Sequence, residues 1–137
     1  MSQYVRAVRG AVLFLFIIAL TTGAGAQDKD PALAKFKSIS DSDTMVMVPM
    51  RDGVRLATDV HRPKGDGQFP TILIKTPYNF NEMGGSTLAF ANEAIDRGYA
   101  VVVQNERGRY YSEGEWEILG KPRTDGYDSL TWIEEQP

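Results

Sequence analysis

The order of strand and helix patterns in this 137-residue sequence predicts an α/β fold, in which an antiparallel hairpin leads into a doubly wound parallel sheet. Three observations support this prediction. Two strand-like segments flank an Asp-Gly pair at 52–53, which is a strong hairpin signal. Two short apolar runs, at 72–74 and 101–103, have the pattern of strands buried on both faces. A helix-like segment separates these runs, as in a parallel strand–helix–strand unit.

The first 26 residues have the features of an export signal peptide. Arg6 and Arg9 precede an unbroken apolar run at 11–20, which is too short to span a bilayer comfortably. An Ala-Gly-Ala sequence ends at Ala26, so we expect cleavage there and a mature chain that begins at Gln27. An uncleaved membrane anchor is the disfavoured alternative. Loss of the two arginines changes the formal net charge from −3 to −5 (−3 minus two positive charges). We expect a periplasmic or secreted protein without a stable membrane anchor.

The mature part divides into a lead-in segment at 27–43 and an α/β domain at 44–137. The lead-in is polar, and its pattern allows one helical turn at 31–36. The first two strands are expected at 44–50 and 54–62, because alternate residues of the second share an apolar face. The Asp-Gly pair between them makes these strands antiparallel.

The parallel unit begins with a strand at 71–76, which we expect to end at Pro77 because proline has no N–H for a ladder hydrogen bond. A helix is expected at about 88–97, since its apolar residues recur at helical spacing. Ser86 or Thr87 is the expected amino-terminal cap of this helix.

The next strand is expected at 99–105, followed by a polar loop at 106–122 and a last helix capped by Thr124 or Asp125. No further strand pattern follows this helix. The strand at 99–105 is therefore expected to form an uncovered apolar sheet edge. On this ground the 27–137 polypeptide made alone is expected to be insoluble or molten.

Composition argues against several classes of function. The sequence has no Cys, which removes disulfides, thiol nucleophiles and cysteine metal sites. It has no basic block, which argues against a nucleic-acid partner. His61, the single histidine, lies inside a strand pattern and is interpreted as a packing residue. No metal site and no cofactor is predicted. Asp125 and Asp128 are explained by the dipole of the last helix.

The loop at 106–114 is rich in Arg, Gly and Ser, but its spacing fits neither GxGxxG nor a P-loop. It is therefore interpreted as structural rather than as a phosphate cradle. Arg107 is expected to hold loop carbonyls or a carboxylate, and the glycines are expected to form turns.

Tyr78 is the candidate residue for chemistry. It follows the strand at 71–76, at the carboxyl rim where ligands bind in open α/β sheets. Spacing alone gives about equal weight to loop packing and to hydrogen bonding with a ligand. The rim position favours function, because a phenol there can donate to a developing oxyanion.

Several segments together resemble the amino-terminal part of the cocaine esterase and X-prolyl dipeptidyl peptidase-like (CocE/NonD) serine hydrolases. Their order and spacing match from about residue 44 to the end of the sequence. The segments are MVPMRDGVRLATDVHRP at 47–63, TPY at 76–78, RGYAVVVQ at 97–104, ERG and SEG within 106–114, and DSLTWIEEQP at 128–137.

The resemblance implies an α/β-hydrolase fold and Ser-Asp-His catalysis that cleaves an ester or amide bond of a small-molecule or peptide substrate. It also implies that Tyr78 is one oxyanion-hole donor, while the backbone N–H after the nucleophile is the other. Two residues depart from the usual pattern: Glu106 stands where many relatives have Asp, and His61 stands where Tyr is usual. Neither departure affects the role assigned to Tyr78.

No member of the catalytic triad is predicted within this sequence. In the resembled family a Gly-x-Ser-Tyr-x-Gly elbow follows shortly after the segment that ends here at Pro137. Ser86 and Ser112 each have only one of the two required glycines, and His61 precedes the elbow and is not the general base. The sequence thus predicts an amino-terminal fragment of an exported serine hydrolase, inactive alone. The alternative is a short non-catalytic secreted protein or a pseudogene product.

Overall fold

The computed structural model describes residues 30–80, 84–118 and 122–137. The predicted signal peptide at 1–26 lies outside the described residues. The strands of the described chain form a four-stranded sheet in the order β1-β2-β4-β3. The elements are α1 (Pro31–Ile39), β1 (Ser40–Pro49), β2 (Arg55–Pro63), β3 (Thr71–Thr76), α2 (Gly85–Asp96), β4 (Ala100–Asn105) and α3 (Pro122–Glu134).

The predicted hairpin is confirmed, since β1 and β2 pair antiparallel. Gly53 adopts a φ of 86° in the connecting turn, a left-handed conformation that glycine reaches without a steric penalty. The strand β1 begins at Ser40, earlier than predicted, and it contains a bulge between Asp43 and Val46. Met45 in this bulge has a φ of 58°, and its N–H donates to Asp59 Oδ1 on β2 at 2.7 Å. That hydrogen bond supports the irregular backbone.

The expectation that the strand after the crossover forms the sheet edge is wrong. β4 pairs antiparallel with β2 and parallel with β3, so it lies inside the sheet, and all six of its residues are buried. β3 is the edge strand of the described sheet, and most of its residues are only half-buried. The order follows from hydrogen bonding and side-chain packing that chain order does not reveal. One such contact is the Gln104 Nε2–Thr58 Oγ1 hydrogen bond of 3.0 Å between β4 and β2.

Helices cover both faces of the sheet, as the doubly wound prediction requires. On one face, Ala94 of α2 packs against Val101 and Val103 of β4. On the other face, Trp132 of α3 packs against a buried cluster that includes Leu56 of β2. Successive residues of a strand point to opposite faces, so β2 supplies Ala57 to one core and Leu56 to the other.

The lead-in segment contains a nine-residue helix rather than one turn, because α1 spans Pro31–Ile39. Asp30 caps it by accepting from the N–H of Ala32 at 2.8 Å, and Pro31 occupies the first turn, where proline is tolerated. Phe36 of α1 packs with residues of α2, which gives this helix its place in the fold. No helix in the described ranges is long and apolar enough to cross a membrane.

The predicted caps of the other two helices are wrong. α2 begins at Gly85 with Gly84 as its N-cap, so Ser86 and Thr87 lie in its first turn. α3 begins at Pro122, so Thr124 and Asp125 also lie inside a helix. Asp125 does lie in the first turn of α3, where an acid complements the helix dipole.

Candidate functional site

Tyr78 lies at the carboxyl end of β3, as predicted, and its side chain is largely open to solvent, with 73% of the residue's surface exposed. Its backbone, by contrast, is held on both sides. The Tyr78 N–H donates to Thr76 Oγ1 at 3.1 Å, and the Tyr78 carbonyl accepts from Asn105 Nδ2 at 2.8 Å. The arrangement therefore combines a fixed backbone with an accessible phenol.

The parallel pairing of β3 and β4 brings two chain segments together at this rim. Thr76 and Asn105, the last residues of the two strands, are register partners. The loop that follows β4 therefore starts beside the turn that carries Tyr78. Arg109 of this loop crosses the gap, because its Nε donates to the Pro77 carbonyl at 3.0 Å.

A cavity of about 960 Å³ opens beside these two segments. Tyr78 and Trp116 line it, and so do seven charged residues, among them Lys75, Arg107 and Arg109. A concave site that combines aromatic residues with polar groups is suited to binding a small molecule. The cavity lies at the carboxyl ends of β3 and β4, the edge at which the fold class places ligands.

A buried polar network lies under the rim. Lys75 Nζ donates to Gln104 Oε1 at 2.5 Å, and Ser129 Oγ of α3 lies 2.8 Å from the same oxygen and 2.6 Å from the Asp125 carbonyl. Burial lowers the pKa of Lys75, while the carboxylates of Asp125 and Glu106 act against that shift. The network joins β3, β4 and α3 beneath the cavity.

Arg107 holds a carboxylate, which confirms its predicted structural role. Its guanidinium forms two hydrogen bonds with Asp125, from Nη2 at 2.6 Å and from Nε at 3.0 Å, and it also pairs with Asp52. The side chains of Arg107 and Asp125 are only 15% and 7% exposed. The hydrogen bond to Asp125 raises the pKa of Arg107 further above its already high value. This pair ties the loop after β4 to the first turn of α3.

The dipole explanation of Asp128 is incomplete, because the structure gives this residue a specific partner. Asp128 accepts hydrogen bonds from both the backbone N–H and the guanidinium of Arg51, at distances of 2.6 to 3.1 Å. These contacts attach α3 to the turn of the first hairpin, and they lower the pKa of Asp128.

His61 is a packing residue, as predicted. It is only 3% exposed on β2, and its ring meets the ring of Phe36 edge-on at a centroid distance of 5.1 Å. Its Nδ1 lies 2.8 Å from Ser42 Oγ, and burial lowers its pKa to about 4. Because it is the single histidine of the sequence, the rim around Tyr78 has no histidine from this chain.

The two serines weighed as nucleophiles occupy structural positions. Ser86 lies in the first turn of α2. Ser112 is buried, and its Oγ accepts from the Ala57 N–H and donates to the Asn105 carbonyl, each at 2.9 Å. Within the described ranges, no group of three or more His, Cys, Asp or Glu side chains is arranged to hold a metal ion.

Comparison with known proteins identifies the family. The family model described as X-Pro dipeptidyl-peptidase (S15 family) matches residues 52–137, which is more than half of the chain. The chain belongs to the S15 family. It is 45% identical over 93 residues to cocaine esterase from Rhodococcus sp. (strain MB1 Bresler), and this match covers 66% of the chain but 16% of that protein. The S15 match thus places the chain within a family of hydrolases.

Solved structures confirm the α/β-hydrolase fold. A selenomethionine-labelled α-amino acid ester hydrolase is 32% identical with a TM-score of 0.61, over 69% of this chain and 18% of that one. A CocE/NonD family hydrolase from Staphylococcus aureus has a TM-score of 0.63 at 24% identity, over 71% of this chain and 21% of that one. An esterase from Pyrococcus furiosus shares the fold at 16% identity and a TM-score of 0.57, over 72% of this chain and 37% of that one.

Sequence reasoning missed the two residues that hold the turn of Tyr78 in place, Asn105 and Arg109. Asn105 is a buried polar residue at the end of a strand with an apolar centre, and that position is a usable signal for a hydrogen bond across the rim. Arg109 carries no comparable signal, because its partner is a backbone carbonyl of another loop.

Proposed function

We propose that this chain is the amino-terminal part of the catalytic domain of an exported serine hydrolase, and that Tyr78 donates a hydrogen bond to the oxyanion of the tetrahedral intermediate. The observation that carries the proposal is the accessible phenol on a hydrogen-bonded turn at the carboxyl end of β3. An oxyanion donor has to be accessible to the substrate and fixed before the reaction begins.

The proposed reaction is cleavage of an ester or amide bond in a small molecule or peptide through an acyl-enzyme. The names of cocaine esterase and of the α-amino acid ester hydrolase support ester cleavage. A serine hydroxyl attacks the carbonyl carbon, a histidine takes the serine proton, and negative charge develops on the carbonyl oxygen. Tyr78 O–H donates to that oxygen. None of the three triad residues is assigned to a position within this chain.

The whole product of the encoding gene provides the test, with p-nitrophenyl acetate as substrate. Tyr78→Phe removes one oxyanion donor, so we expect kcat to fall on the order of a hundredfold or more while KM changes little. Tyr99→Phe is the matched control, because Tyr99 is also exposed but precedes β4 at the opposite end of the sheet. Equal activity of Tyr78→Phe and wild type would refute the role of Tyr78.

Labelling with a fluorophosphonate tests the acyl-enzyme class independently. We expect modification of one serine within a Gly-x-Ser-Tyr-x-Gly segment, identified by peptide mass spectrometry. A product that hydrolyses the ester without a labelled serine would contradict the proposed mechanism. The chain at 27–137, made alone, is expected to show no esterase activity, because it lacks the nucleophile elbow.

Export is part of the proposal and has its own measurement. The charged start, apolar run and small-residue cleavage site of the first 26 residues support it. We expect the mature protein to begin at Gln27 and to be found in the periplasm or the medium. Intact-protein mass spectrometry of each cell fraction measures both the amino-terminal residue and the location of the protein. A cytoplasmic product that retains residues 1–26 would exclude export.

A further inference from the structure

Arg109 links the loop after β4 to the turn that carries Tyr78. Its Nε donates to the Pro77 carbonyl at 3.0 Å. Its guanidinium carbon lies 4.8 Å from the centre of the Trp116 ring and 5.6 Å from that of the Tyr110 ring. The planar cation is thus in contact with two aromatic rings while one of its edges holds a carbonyl of the turn.

We propose that Arg109 is a positioning residue for Tyr78. The inference rests on the proposed function, in which the phenol of Tyr78 is an oxyanion donor. Arg109 lines the same cavity, but its Nε donates to the backbone of the turn, so it acts on the reaction through the direction of the Tyr78 Cα–Cβ bond.

Peptide geometry explains how one hydrogen bond has this effect. The carbonyl of Pro77 and the N–H of Tyr78 belong to the same planar peptide unit. Arg109 holds the carbonyl end of that unit, and Thr76 Oγ1 accepts from its N–H end at 3.1 Å. Asn105 holds the next carbonyl, that of Tyr78, at 2.8 Å. With both flanking peptide planes held, the direction of the Cα–Cβ bond of Tyr78 is set before substrate arrives, and only rotation about χ1 and χ2 remains to place the phenol.

The Trp116 ring that Arg109 contacts is itself held in place. Trp116 Nε1 donates to Glu106 Oε2 at 3.3 Å. The backbone of Trp116 also packs directly on Gly108, where an added Cβ would lie 2.2 Å from the Trp116 nitrogen. The guanidinium therefore meets a preformed surface.

A lysine at this position keeps the positive charge but loses the function that the geometry assigns to Arg109. The lysine ammonium is a compact charge without a planar face, and it cannot stack on Trp116 while directing a fixed N–H to the Pro77 carbonyl. Arg109→Lys thus separates positioning from simple charge attraction toward an oxyanion.

The test uses kcat and KM of the whole gene product with p-nitrophenyl acetate. We expect Arg109→Lys and Arg109→Met each to lower kcat by about tenfold, because a small misplacement of a reacting group reduces the rate strongly. KM is expected to change by less than about twofold. Arg97→Lys is the matched control, since Arg97 is an exposed arginine that pairs with Glu93 on the surface of α2.

A double-mutant cycle with Tyr78→Phe distinguishes positioning from general weakening of the fold. If Arg109 acts through the phenol, Arg109→Lys has little further effect on kcat in the Tyr78→Phe background. Equal losses in both backgrounds would overturn the inference, because they show an effect that does not pass through the Tyr78 hydroxyl.

The outcomes also separate this inference from the proposed function. Full activity of Arg109→Lys beside a large loss in Tyr78→Phe refutes the positioning role and leaves the oxyanion role standing. Full activity of Tyr78→Phe refutes both. Titration of active sites with the fluorophosphonate gives kcat per folded enzyme, so partial misfolding of a variant does not imitate either result.

Discussion

Acidification is expected to loosen the packing of α1 against the sheet, because it charges His61. The ring of His61 is buried beneath Phe36 of α1, and its Nε2 is buried without a hydrogen-bond partner. A second proton on this ring places a charge in a site that offers one hydroxyl, that of Ser42 at 2.8 Å from Nδ1. Burial lowers the pKa of His61 from 6.5 to about 4 for this reason.

The sign and size of the effect follow from proton linkage. The unfolded or opened chain takes up the proton first as the pH falls, so stability is lost between about pH 6.5 and about pH 4. The full shift corresponds to about 3 kcal/mol, and the loss between about pH 7.5 and about pH 5.5 is about 1.3 kcal/mol, or roughly a tenfold larger open population. Asp59 acts in the opposite direction, since burial raises its pKa and the folded state takes up that proton first.

Hydrogen exchange of the α1 amides reads this local opening, after correction for the intrinsic effect of pH on exchange. We expect protection of Pro31–Ile39 to fall by about tenfold over the stated interval in the whole gene product. His61→Gln is the control, because it cannot take up the proton and it retains Asp59. The reasoning is wrong if wild type and His61→Gln lose protection in parallel, or if protection of α1 rises as the pH falls.

Two further predictions concern the loop after β4. Arg107→Lys replaces a two-point contact with Asp125 by a single one in a nearly buried site. The free energy of unfolding, measured by thermal melting, is therefore expected to fall by about 2 kcal/mol. An unchanged melting temperature would contradict the contribution assigned to the pair. Gly108→Ala is expected to displace Trp116 and change its fluorescence, because the added Cβ would lie 2.2 Å from the Trp116 backbone nitrogen. Gly53→Ala is the control, since its Cβ would meet nothing within 4 Å. It is expected to lower the free energy of unfolding by about 1 kcal/mol because of the positive φ, and to leave Trp116 unperturbed.

Local patterns predict the four strands and the helices α2 and α3, but they predict only one turn of α1. The strand ending before Pro77 and the hairpin at Gly53 were predictable because each depends on a residue with a fixed backbone preference. The starts of α2 and α3 are not predictable in the same way. Gly84 has no side chain that signals a cap, and α3 begins at Pro122, before the polar residues that the pattern favours as caps.

Long-range pairings limited the prediction of the sheet order and of the site. The position of β4 between β2 and β3 depends on contacts such as that of Gln104 with Thr58, which are 46 residues apart in sequence. Tyr78 was predictable because a strand pattern places it at a rim. Arg109 was not, because its partner is a carbonyl, and every residue type presents one.

The loop after β4 is anchored to two different strands. Ser112 bridges the Ala57 N–H of β2 and the Asn105 carbonyl of β4. Glu113 accepts from the Arg55 N–H at 3.0 Å and from its guanidinium, and the Glu113 N–H donates to the Arg55 carbonyl at 2.9 Å. Both residues belong to the segment that carries the resemblance to the family, and both side chains are engaged in hydrogen bonds that hold the loop.

These contacts explain why Ser112 and Glu113, which supply no catalytic group, occur together with Tyr78, the proposed oxyanion donor. Ser112 and Glu113 fix the end of the loop, and the pair between Arg107 and Asp125 fixes its start against α3. Arg109 lies between the two fixed points, so it reaches the Pro77 carbonyl without having to order the loop when the substrate binds. A substitution in either anchor should therefore reduce kcat through the Tyr78 turn, even though the anchor lies outside the reacting groups.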